Sequence, residues 1–252
     1  LIHKIEFNTQ GEVQRTRSLQ IPPSPIQFIA MNDIDEDGNI WVGWGSSVLK
    51  LYASEDGTLR STLPAQGLML EPNLLILSLI LKENEIWIGT NTGLFRYNRS
   101  ENVLKSYLYN RGNPRSISQD YITDLAITHD KRLLISTLRG LNIYNPITDD
   151  FERITAGNKS GTQRNSSLNS NFLNCMLTDK DMIWIGSETG GINKMTQQRL
   201  TVRSYVYSKE NPFSLSQNPV NAIYEDKNET LWVGTVEGGL NRKLKGKELF
   251  TH

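Results

Sequence analysis

The stretch Leu231-Trp232-Val233-Gly234-Thr235-Val236-Glu237-Gly238-Gly239-Leu240-Asn241 decides the fold, because versions of it occur five times in the chain. The other four are Ile40-Trp41-Val42-Gly43, Ile86-Trp87-Ile88-Gly89-Thr90, Leu133-Leu134-Ile135-Ser136-Thr137 and Ile183-Trp184-Ile185-Gly186-Ser187. Counted from Trp41 through Trp87, Leu134 and Trp184 to Trp232, the spacings are 46, 47, 50 and 48 residues. A period in this range marks a repeat array. Each copy alternates apolar and polar residues, turns at glycine and alternates again, as in Leu94-Phe95-Arg96-Tyr97. That is a strand, a tight turn and a second strand. A unit of this length, built of β-structure, matches a four-stranded propeller blade.

Working outward from the Trp strand, an apolar residue lies twelve positions earlier in every copy: Ile29, Leu75, Ile122, Phe172 and Val220. It places first strands near 28–34, 74–80, 122–127, 172–177 and 220–225, lining the centre, with the Trp strands second. The acidic or polar runs between them, such as Asp35-Glu36-Asp37-Gly38-Asn39 and Asp226-Lys227-Asn228-Glu229-Thr230, are hairpin turns by composition. After the Trp strand, Gly93, Gly140, Gly190 and Gly238 are expected to supply the positive φ of the next hairpin. The first blade departs from this, with Ser47 at the glycine position and Trp44 in the turn. More polar fourth strands are expected around Leu104–Tyr109, Phe151–Ile154, Val202–Tyr207 and Leu249, where a blade meets solvent.

The expected architecture is an all-β propeller of about five blades plus a partial one. Its repeats span 1–25 (partial), 26–71, 72–118, 119–168, 169–216 and 217–252, as a single segment. Residues 2–20 supply two outer strands, and the C-terminal end also finishes on outer strands, so the ring is expected to be open or incomplete, or completed by another chain or by residues other than these. The connection from Ala156 to Ser170 is the longest and most polar, and so the one expected to be mobile.

Composition narrows the function classes. The 252 residues hold 27 Lys plus Arg against 27 Asp plus Glu, a balance that gives no general attraction to nucleic acid or anionic membrane. There is no apolar run near 18 residues, so any membrane contact is expected through segments other than these. The single Cys175 leaves no disulfide framework or multi-cysteine metal site, and it is expected to be buried and inert. With His3, His129 and His252 alone, neither a histidine metal centre nor a Ser-His-Asp triad is supported, and no cofactor is expected. The acidic runs lack the spacing of a calcium loop.

The connections carry an echo of their own. Asn113-Pro114-Arg115-Ser116-Ile117-Ser118 matches Asn211-Pro212-Phe213-Ser214-Leu215-Ser216, and Asn165-Ser166-Ser167-Leu168-Asn169-Ser170 is a looser copy. Taken from Asn211 to Asn241, this motif followed by the Trp strand and Gly-Gly-Leu-Asn resembles the two-component regulator propeller repeat. The resemblance extends with decay over the chain and is weakest in the third copy, with Leu134 for Trp and Ser136 for Gly. It implies a periplasmic sensor of a hybrid two-component protein of the gut Bacteroidetes type. Such proteins carry a membrane helix, a histidine kinase and a DNA-binding domain elsewhere. It further implies a glycan-derived ligand, a homodimeric full-length protein and no catalysis by this segment. A polysaccharide lyase or glycosidase and a protein-binding scaffold are the alternatives.

Strand direction locates the site. Antiparallel strands put the second-to-third turns and the inter-blade connections on one face, opposite the acidic hairpins. That face gathers Trp44, Asn91, Arg139, Glu188 and Glu237, alongside Arg115, Tyr121 and Asn218. The ligand-binding set expected here is Trp44, Asn91, Arg115, Arg139, Glu188 and Glu237, with Arg139 and Trp44 foremost because both break the repeat. An arginine on this face would suit a uronate, whose carboxylate it can hold by two parallel bonds. The Trp strand side chains themselves are expected to wedge between blades rather than stack on sugars.

Overall fold

In a computed structural model, residues 74–157, 168–196 and 202–252 are described with their side chains, and six earlier strands by their backbone. Those six are β1 (Ile2–Phe7) and β2 (Val13–Leu19), which form a two-stranded sheet, and β3 (Ile29–Ile34), β4 (Ile40–Trp44), β5 (Leu49–Tyr52) and β6 (Leu59–Leu63), which form the first four-stranded blade. The second blade holds β7 (Ile76–Lys82), β8 (Glu85–Thr90), β9 (Gly93–Asn98) and β10 (Val103–Tyr107). The third holds β11 (Ile122–Ile127), β12 (Leu133–Thr137), β13 (Gly140–Asn145) and β14 (Asp150–Ile154). The fourth holds β15 (Leu173–Asp179), β16 (Met182–Ser187), β17 (Gly191–Thr196) and β18 (Val202–Tyr205). The last holds β19 (Val220–Glu225), β20 (Leu231–Thr235) and β21 (Gly239–Lys243). Every blade is an antiparallel meander in chain order, and no described residue is helical. The chain is an all-strand propeller, as the alternation predicts. The segment expected to be mobile, 156–170, falls largely on 158–167, outside the described residues.

The apolar core lies between the blades. Trp87 of β8, fully buried, packs with Leu94 and Tyr107 of its own blade and with Ile122, Leu125, Leu133 and Ile135 of the next. Trp184 does the same one step on, against Val220, Leu231 and Val233. In the third blade Leu134, 1 % exposed, takes the tryptophan's place against Leu173, Ile183 and Ile185. The glycines that follow Trp87 and Trp184 make this approach possible. A Cβ on Gly89 would come within 2.6 Å of Ile122, and one on Gly186 within 2.7 Å of Val220. Inner strands therefore succeed one another as an arc, β3 beside β7, then β11, β15 and β19. No sheet among the described strands combines the two ends of the chain.

Two turn expectations need correction. Gly93 and Gly140 have the expected positive φ, but in the fourth and last blades it belongs to Gly191 and Gly239, not Gly190 and Gly238. Those hairpins are one residue longer, Glu188-Thr189-Gly190 and Val236-Glu237-Gly238, so the left-handed residue moves one place on. Gly190 and Gly238 are required for space instead, because a Cβ there would stand 2.6 Å from Asn169 and from Ser216. In the last blade the fourth position around Leu249 is not a full strand. Thr251 fills it with two backbone hydrogen bonds to Arg242, at 2.7 and 2.9 Å, and Phe250 beside it is buried.

Candidate functional site

Each first strand begins with a bulge. The register slips between Ile76 and Ser78, Ile122 and Asp124, Leu173 and Cys175, and Val220 and Ala222, with the same slip between Ile29 and Met31. A bulge leaves one residue unpaired and re-aims its side chain. The skipped residues Leu77, Thr123, Asn174 and Asn221 all line one cavity of about 760 Å³ at the inner ends of the blades. The remaining walls are Leu138, Glu188 and Val236 from second-to-third turns, and Tyr121 and Pro219 from connections.

The walls are held from behind. Glu188 N donates to Phe172 O at 2.9 Å and Val236 N to Pro219 O at 2.9 Å, so the turns are fastened to the connections beside them. Thr123 Oγ1 shares a 2.8 Å hydrogen bond with Ser136 Oγ, and Asn174 Nδ2 donates to Val220 O at 3.1 Å in the next blade. Beneath the cavity the Asp124 carboxylate joins three inner strands. It accepts from Ser78 Oγ at 3.1 Å, from Leu125 N at 2.8 Å and from Met176 N at 2.7 Å. Burial pushes its pKa up against those bonds. Cys175 is partly buried, and burial beside Asp124 pushes its thiol up to about 12, which keeps it protonated. Among the described residues, Glu188 is the one carboxylate on the cavity walls, which otherwise offer neutral amide, hydroxyl and apolar groups.

The expected site residues divide. Glu188 lines the cavity, and so does Tyr121. Asn91 occupies the corresponding turn of the second blade but is committed to the backbone. It accepts from Leu75 N at 2.7 Å through its side chain and donates its own N–H to Leu75 O at 3.1 Å. Asn218 likewise accepts from Tyr207 N at 2.7 Å. Arg139 and Glu237 are exposed second residues of their turns, and the cavity is lined by their preceding neighbours, Leu138 and Val236. Arg115 is elsewhere. Its guanidinium pairs with Asp150, and it borders a separate cavity of about 520 Å³ with Tyr144, Phe151 and Arg153 at the third blade. Trp44 ends β4 opposite Ile29 instead of standing in a turn, and its side chain lies outside the described residues.

Thr123, Asn174 and Asn221 are the positions that strand reasoning passed over. A sequence signal exists: the apolar pairs Ile76/Leu79, Ile122/Leu125, Leu173/Met176 and Val220/Ile223 are three apart. A regular strand keeps one face at even spacings, so a spacing of three marks an extra residue.

A propeller of four-stranded blades with a cavity of mixed polar and apolar walls at the bulged starts of its inner strands is the class defined by this fold. Residues 214–237, spanning the last connection and the Trp strand, match the family model described as two component regulator propeller. The match falls on the stretch that carries the resemblance in the sequence. Solved structures share the fold. One, described as the extracellular domain of the hybrid two component system BT3049 from B. thetaiotaomicron, is 21% identical over 89% of this chain and 29% of its own, with a TM-score of 0.68. The corresponding domain of BT4673 from the same organism is 17% identical over 90% of this chain and 34% of its own, at 0.60. The structure of U3-55K is 12% identical over 92% of this chain and 64% of its own, at 0.64. The chain thus spans about a third of the length of the two B. thetaiotaomicron domains. Among curated protein sequences none matches the chain.

Proposed function

We propose that this chain is part of the extracytoplasmic, periplasmic sensor of a hybrid two-component protein and that it binds a glycan fragment in the cavity bounded by the bulge residues. The observation that carries this reading is the convergence of Leu77, Thr123, Asn174 and Asn221, one from each of four blades, on a single cavity. A ligand there touches four blades at once, so its binding energy depends on how they are arranged. It would favour one arrangement of a homodimeric full-length protein, and the histidine kinase would respond to that shift in population. The repeat match at 214–237 and the likeness to two extracellular domains of hybrid two-component systems support the sensor reading. The wall chemistry supports binding over glycosidase chemistry, because among the described residues Glu188 has no second carboxylate beside it on the cavity walls, whereas glycoside hydrolysis uses two.

Thermal-shift measurements against an oligosaccharide panel test the reading, since a ligand of the folded state raises apparent stability by mass action. At least one oligosaccharide is expected to raise the midpoint in the native protein and to lose that effect in Asn174→Leu and Asn221→Leu. A panel without any shift, or a shift retained by both variants, would refute it.

A further inference from the structure

We propose that the axial cavity is selective for an amine-bearing polyhydroxylated ligand, such as an amino sugar unit, over a uronate or sulfated sugar, and that Glu188 sets this preference. The inference rests on the reading of the cavity as the ligand site and adds the charge class of the ligand.

Neither Arg115 nor Arg139, the two arginines expected to suit a sugar or uronate, lines this cavity. Arg115 is bound to Asp150 at another cavity, and the turn of the third blade presents Leu138 in place of Arg139. The fourth blade presents Glu188 at the position where the last blade presents Val236. Its turn is fixed by the hydrogen bond from its backbone to Phe172 O, so the carboxylate is held at the cavity rather than on a free loop. Among the described residues no ion pair joins Glu188 to a lysine or arginine. A carboxylate that pairs with no cation among the described residues, facing described walls that carry no cation, attracts an ammonium and repels a carboxylate or sulfate. Around it, Asn174 and Asn221 offer amide groups to hydroxyls, and Tyr121 and Pro219 offer flat apolar faces to the C–H faces of a sugar ring.

The test compares matched β-linked oligosaccharides of glucose, glucosamine and glucuronate by isothermal titration at pH 6, where the glucosamine amine is charged. In parallel, saturation-transfer NMR compares cyclohexylamine with cyclohexanecarboxylate. The glucosamine oligomer is expected to bind about 5-fold or more tighter than the glucuronate oligomer, as one like-versus-opposite charge contact at a cavity mouth provides. Glu188→Gln should abolish that difference, while Arg115→Ala and Arg139→Ala leave it intact. Equal or tighter glucuronate binding, or a preference unchanged in Glu188→Gln, would overturn the proposal. If no oligosaccharide binds but cyclohexylamine contacts the native protein and not Glu188→Gln, the charge assignment stands and the glycan reading falls. If neither an oligosaccharide nor cyclohexylamine binds, the charge assignment falls too.

Discussion

Asn241 and Ser216 hold each other reciprocally: Ser216 N donates to Asn241 Oδ1 at 2.8 Å, and Asn241 Nδ2 donates to Ser216 Oγ at 2.8 Å. Ser118 and Asn142 repeat the clasp at 2.8 and 2.9 Å, and Asn169 and Asn193 repeat it at 3.0 and 2.7 Å. The three third-strand asparagines are fully buried. Each clasp ties the connection entering a blade to that blade's own third strand. The same connections also cover outer edges, with Phe151 N donating to Arg115 O and Phe250 N to Phe213 O, both at 2.9 Å. A covered edge does not invite strand addition. The Ser-x-Ser and Leu-Asn parts of the repeat are thus two halves of one contact.

Asn142→Ala should therefore destabilise the protein well beyond an ordinary surface substitution. It leaves the buried Ser118 N unpaired, at about 1–3 kcal/mol, and takes one of two partners from Ser118 Oγ, which keeps Thr137 Oγ1 at 2.8 Å. Urea unfolding measures this; a loss under about 0.5 kcal/mol would mean that the clasp is dispensable.

The tryptophans offer a comparison inside one molecule. Trp87 is fully buried against the next blade, whereas Trp232 in the last blade is only partly buried and donates to Asp226 Oδ2 at 2.9 Å. Trp87→Ala should cost about 3–5 kcal/mol, as large core truncations do. Trp232→Ala should cost clearly less. Equal losses in chemical denaturation would contradict the wedge between blades.

Gly186 and Gly234 are equivalent in sequence but not in space. A Cβ on Gly186 meets Cys175 Sγ and Val220 Cγ1 at 2.7 Å, while one on Gly234 meets nothing nearer than 3.6 Å. Gly186→Ala should destabilise by about 1–3 kcal/mol through overpacking, and Gly234→Ala should fall within about 1 kcal/mol of the native protein. Their thermal midpoints, measured side by side, check the difference.

Acid should loosen the joint between the second and third blades. Burial alone would raise the Asp149 carboxyl, but hydrogen bonds from Lys105, Tyr107 and Tyr144 outweigh it and hold the pKa at about 2. Burial and the hydrogen bond to Asp149 push Tyr144 up to about 12, against Tyr107 and Arg96. A carboxylate with a depressed folded pKa binds protons more readily when unfolded, so its stabilisation is present above about pH 4 and is lost as pH falls towards 2. Asp149→Asn should flatten that part of the stability profile. An acid profile identical to the native one would show that the network adds nothing.

Much of the fold is written openly in the chain. Period-two alternation around Trp87, Trp184 and Trp232, with polar runs between, sets the strands and their order to within a few residues. The cavity is less legible, because its walls come from irregularities rather than from a repeated residue type. Leu77, Thr123, Asn174 and Asn221 share a backbone position and no chemistry, so only the three-residue spacing of their apolar flanks betrays them. Turn direction groups Glu188 with Tyr121, and both line the cavity. It could not tell that Arg139 sits one residue past the lining position, nor that Asp150 holds Arg115 elsewhere.

The most direct test of the ligand site is hydrogen–deuterium exchange of the protein with and without the oligosaccharide that gives the largest thermal shift. Protection should appear in peptides covering 119–124, 172–175, 188–191 and 219–222, which carry the bulges, connections and turns around the cavity. Protection confined to the opposite hairpins at 82–85, 128–132, 179–182 and 226–230, with the cavity peptides unchanged, would contradict it.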